Sequence, residues 1–135
     1  MDGERITLEA GIVGRDAEVL ERFYTEVMGF AVVRRIHFDE FGTVLRLARG
    51  DAHCKLYFPG GVEVDPPRPD QPWFQAGGFR YAALDFDDPA EVDALVDVMA
   101  AGGGTVLIPP REHRPGARMA LVADPEGNPW ELLCG

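Results

Sequence analysis

The side chains able to do chemistry are few. The chain has three histidines, His37, His53 and His113, and two cysteines, Cys54 and Cys134. No Ser/His/Asp or Cys/His arrangement has a recognisable spacing, and the histidines read as strand or loop residues. Two cysteines are too few for a disulfide scaffold and lack zinc-site spacing, so they read as small buried thiols. Gly102-Gly103-Gly104 follows a helical pattern, which makes it a helix stop and not a phosphate cradle. The aromatic residues say more. Trp73 and Phe74 lie in a Pro-rich stretch where a core role is not obvious, and Phe38 and Phe41 flank a tight turn. Aromatic walls with few catalytic groups suit stacking on a flat organic ligand, although Trp73 and Phe74 could equally cover a dimer interface.

Those residues must be held by regular elements. Residues 5–14 read as a strand. Asp16 is placed to cap a helix over 17–28, whose Val19, Leu20, Phe23, Tyr24, Val27 and Met28 form an apolar stripe stopped by Gly29. Strands follow over 30–38, 43–49 and 52–58. Residues 59–78 carry Pro59, Pro66, Pro67, Pro69 and Pro72 and read as a connector. The pattern then restarts with a strand over 79–86. Asp88-Pro89 with Glu91 opens a second helix, with Val92, Leu95, Val96 and Met99 on its apolar face. Strands over 105–108, 117–123 and 129–133 complete the unit. The reading is α+β: a single domain, 1–135, of two βαβββ modules (5–58 and 79–135) joined by the connector. Together they form a curved mixed sheet with helices outside and a concave ligand cup.

Composition narrows the partners. The chain has 135 residues, with 13 Lys+Arg against 23 Asp+Glu and a formal net charge of −10. Such a balance argues against nucleic acid, which needs a basic surface, and leaves room for a cationic ligand. No apolar run approaches the ~20 residues of a membrane span. The first six residues lack the apolar core of a signal peptide, so the expected location is cytoplasmic.

Two stretches resemble a known family. Asp124-Pro125-Glu126-Gly127-Asn128-Pro129-Trp130-Glu131-Leu132 is similar to the closing motif of the vicinal oxygen chelate superfamily, the glyoxalase/bleomycin resistance protein/dioxygenase proteins. Arg15-Asp16 through Phe23-Tyr24 to Val27-Met28-Gly29-Phe30 looks like the motif of its first module. The resemblance implies four metal-ligand positions facing the cup, which fall here on Glu9, Lys55, Tyr81 and Glu131. Lys55 is placed by strand position only, with His53 and Tyr57 as its same-face neighbours. Carboxylates such as Glu9 and Glu131 can bind a divalent ion. A lysine ammonium cannot, and would pair with Glu9 or Glu131 instead; a tyrosine phenol is a poor ligand at neutral pH. Trp130, beside Glu131, should point away from the cup and pack under the helices.

The expectation is therefore a metal-free, cofactor-free homodimer that sequesters a small antibiotic-like molecule, aromatic or cationic, and confers resistance. The family's bleomycin-resistance-like members build such cups between two chains. Its ligand-binding residues would be Glu9, Phe38, Phe41, His53, Lys55, Tyr57, Trp73, Phe74, Tyr81 and Glu131, with no catalytic residue. The alternative is a lyase, isomerase or dioxygenase in which Glu9, Tyr81 and Glu131, with His53, surround one Zn, Ni, Mn or Fe ion. A third reading uses Glu131 or Glu9 as base and Tyr81 as proton donor without a metal.

Overall fold

A computed structural model describes residues 3–67 and 71–135; Met1, Asp2 and residues 68–70, Pro69 of the connector among them, lie outside the described residues. The first module runs β1 (Glu9–Val13), α1 (Ala17–Arg22), β2 (Ala31–Phe38), β3 (Gly42–Arg49) and β4 (Ala52–Phe58). The second runs β5 (Ala82–Asp85), α2 (Pro89–Ala101), β6 (Thr105–Arg114), β7 (Ala117–Ala123) and β8 (Pro129–Cys134). Each module forms its own four-stranded mixed sheet, in the orders β1-β4-β3-β2 and β5-β8-β7-β6, with the first strand parallel to the last.

Both caps form as the side-chain chemistry requires. The Asp16 carboxylate accepts the Val19 N–H, and that of Asp88 accepts the Ala90 N–H, with Pro89 in the first turn. Past Arg22 the first helix widens into a π-helical stretch over Phe23–Val27, where the Met28 N–H reaches the Phe23 carbonyl. Phe23, Tyr24 and Met28 are all buried as a result. Gly14, just past β1, permits the close approach of Leu20 on α1 and Phe58 on β4. A Cβ there would stand 2.5 Å from Leu20 Cδ1 and 2.7 Å from Phe58 Cε1.

Three strand boundaries depart from expectation. β1 begins only at Glu9, leaving Ile6 and Leu8 exposed. β5 begins at Ala82, so Phe79 and Tyr81 precede it. β6 runs to Arg114, through Pro109 and Pro110. It is the outer strand of its sheet, where a missing N–H can face outward, and its register shifts between Ile108 and Arg111.

The helices and one face of each sheet meet in a common core that includes Leu20, Phe23, Leu45, Leu56, Val92, Val122, Trp130 and Leu132. Polar bonds lock the modules together across it. The buried Asp124 carboxylate accepts from the Tyr24 hydroxyl at 2.7 Å, from the Glu126 and Asn128 N–H groups, and from Asn128 Nδ2. Trp130 Nε1 donates to the Tyr24 hydroxyl at 2.9 Å. Glu126 accepts the backbone N–H groups of Arg15 and Asp16 at 2.9 and 2.8 Å. Arg49 donates to the Met28 carbonyl and stacks over Phe86. The closing motif thus works chiefly as an intermodule clamp, which leaves the opposite face of the first sheet open and that of the second partly so, with Leu121 and Ala123 buried there.

Candidate functional site

Strand alternation decides which residues reach those open faces. On β3 and β4, Leu45, Leu47, Cys54 and Leu56 enter the core, so Arg46, His53, Lys55 and Tyr57 point the other way. Glu9 pairs in register with His53 and shares their face. On the second sheet Trp130 and Leu132 are core, leaving Glu131 on the opposite face in register with Ala83 and Leu121.

Glu9 is the best-defined polar centre. Its Oε1 accepts from Arg46 Nη2 at 3.0 Å and Nε at 3.3 Å, and its Oε2 lies 3.2 Å from Lys55 Nζ. The charges point to Lys55 pairing with Glu9 or Glu131, and the structure takes Glu9; Arg46 is not anticipated. A lone arginine at opposite parity to Leu45 and Leu47 was the available signal, but it reads equally as a solvated face. The Arg46 hydrogen bond is the main influence holding the Glu9 carboxyl below its ordinary range. Partial burial opposes it, and Lys55 adds to it.

A groove of about 860 Å³ lies between the first strands of the two modules. Glu9, Gly11 and His53 line one side, and Arg80, Tyr81 and Ala83 the other. Its volume is within the range of small-molecule sites. Trp73 packs edge-on to Tyr81 with ring centroids 5.4 Å apart, and to Phe74 at 5.7 Å. Through Trp73 the connector touches the groove residue Tyr81, while neither Trp73 nor Phe74 lines the groove itself. Trp73 lines a neighbouring cavity with Pro67, Arg80 and Asn128. Phe38, Phe41 and Tyr57 are gathered elsewhere, at the β2–β3 turn, where the Tyr57 hydroxyl donates to the Phe41 carbonyl at 2.6 Å. Glu131 does not line the groove.

Cys54 and Cys134 are buried free thiols; burial first, then the nearby Asp124 and Glu9 charges, push Cys54 up to about 12. Burial likewise raises the Cys134 thiol, so both are held in the protonated, less nucleophilic form.

The same architecture recurs among known proteins. A family model described as the Glyoxalase/Bleomycin resistance protein/Dioxygenase superfamily matches residues 7–132. The chain belongs to this superfamily. Among solved structures it is similar to a glyoxalase family protein from Enterococcus faecalis, at 26% identity and a TM-score of 0.69, covering 96% of each chain. A glyoxylase/bleomycin resistance protein/dioxygenase domain from Frankia sp. EAN1pec has a TM-score of 0.78 at 18% identity, over 98% of this chain and 93% of that one, a likeness of fold. A glyoxalase I variant from Zea mays has a TM-score of 0.74 at 25% identity, over 94% of this chain and 43% of that one. No curated protein matches the chain.

The superfamily's metal can be tested against this donor set. Glu9 is engaged by two cations, and Lys55 and Tyr81 offer an ammonium and a phenol. Among the described residues no three His, Cys, Asp or Glu side chains are grouped so as to hold a metal ion. The residues at the four positions do not fit a resident divalent ion. No helix of the described chain is long and apolar enough to cross a membrane.

Proposed function

We propose that this superfamily member binds and sequesters a small, flat organic molecule of the antibiotic kind, without a metal and without turnover. The observation that carries this reading is the state of Glu9: its carboxylate is occupied by Arg46 and Lys55 where a metal ligand would have to be free. Tyr81, backed by Trp73, supplies a stacking wall, and Glu9, held by Arg46 and Lys55, supplies an orienting polar group on the groove wall. We further propose that the protein acts in the cytoplasm as a homodimer. Leu8 is 91% exposed and Phe79 fully exposed, both lining the groove beside the open strands β1 and β5, and a second copy would cover them.

The test is a fluorescence titration of the chelator-treated protein with a panel of aromatic antibiotics, each recovered afterwards and checked for chemical change. Saturable quenching with the ligand returned intact is expected. Conversion of the ligand, or quenching by none of the panel, would overturn the reading.

A further inference from the structure

The open face of the first sheet carries a row of positive charge. In the ladder, Arg34 lies directly opposite Arg46, Arg46 opposite Lys55, and Lys55 opposite Gly11. Arg35, the next residue along β2, reaches Glu21 on the helix side at 3.0 Å, so Arg34 points to the open face. Three cations thus stand side by side on adjacent strands of a chain whose net charge is −10. Like charges directly opposite one another in a sheet are destabilising. One carboxylate, Glu9, offsets two of them, and no ion pair to Arg34 occurs among the described residues. The row ends at Gly11, which alone of these four positions lines the groove and where even a Cβ would meet nothing within 4 Å. Glu9 is the sole carboxylate among the described residues lining that groove, and Arg80 adds a cation on the far wall.

We propose that the ligand of this groove is an oxyanion, carrying a carboxylate or a phosphate that lies over Gly11 against Lys55 and Arg46, with Arg34 next in the row. This rests on the groove being a small-molecule site and reverses the cationic preference that net charge alone would favour. The open space over Gly11 gives the anion room without displacing a side chain. Glu9 keeps the cations splayed and ordered while leaving a positive excess.

The experiment is calorimetric titration of the full chain, at low and high salt, with four probes sharing one ring system: naphthoate, naphthyl phosphate, naphthylmethanol and naphthylmethylamine. At low salt naphthoate or naphthyl phosphate should bind about tenfold more tightly than the alcohol, and the amine more weakly than the alcohol. Whichever anion binds more tightly identifies the headgroup. High salt should erase the anion's advantage. Arg34→Gln, at an exposed position outside the Glu9 cluster, should lower anion affinity several-fold and leave the alcohol unchanged. If the alcohol and amine bind as well as the anions, the oxyanion assignment fails while the groove remains a binding site. If none of the four binds, both fail.

Discussion

Glu9 is the side chain on which the proposed function turns. Its two oxygens face two cations, so the carboxylate organises positive charge on the open sheet face. Glu9→Gln should therefore release Arg46 and Lys55 and tighten naphthoate binding several-fold, the opposite of what losing an essential ligand would do; calorimetry reads the sign directly. The same contacts set a pH dependence. The folded carboxyl sits below its ordinary value of 4.5, so its contribution to stability is complete above that value and is lost as pH falls through the folded one. Melting temperatures taken below about pH 4.5 should fall less steeply in Glu9→Gln than in the parent. Tyr24 works in the other direction. Burial, then the Asp124 charge, raises its phenol well above 10.0, so the stability it confers is full below that pH and is lost as pH climbs towards the folded value. Tyr24→Phe leaves Asp124 and Trp130 each short of a partner and should cost about 1–3 kcal/mol in urea denaturation, with a flatter alkaline limb. That Lys55 would pair with one of two glutamates was legible from charge type, but the choice of Glu9 over Glu131 was not. Nor was Arg46, because its partner lies 37 residues away in sequence and only the sheet register joins them.

At the scale of elements, the sequence patterns transmitted caps well, apolar stripes well except for Val19, which is exposed, and strand ends poorly. Asp16 and Asp88 act locally, within three residues, so their role could be read directly. β6 could not be bounded, because whether Pro109 and Pro110 break a strand depends on that strand's place in the sheet, and its outer position is a property of the fold. The π-helical stretch after Arg22 is likewise a tertiary outcome: Phe23, Tyr24 and Met28 all enter the core. Gly14 belongs to this scale, as the contact point between α1 and β4. Gly14→Ala places a methyl against Leu20 and Phe58 and should lower stability by about 1–3 kcal/mol in urea denaturation, with ligand affinity unchanged.

For the whole molecule, the proposed anion preference runs against the net charge. The acidic excess is spread over the chain, while the row on the open face of the first sheet that ends at Gly11 on the groove wall is basic. The two modules are clamped within one chain by Asp124 and Glu126, yet Leu8 and Phe79 stay uncovered beside the groove. Sedimentation should accordingly give a dimer, and Leu8→Glu with Phe79→Glu should shift it to monomer. The central claim, that the groove works without a metal, is tested most directly by titrating chelator-treated protein with naphthoate before and after adding Zn, Ni, Mn or Fe. Binding that is saturable in the chelated protein and unchanged by any of the ions is the expected result. Binding that is absent until an ion is restored would contradict it.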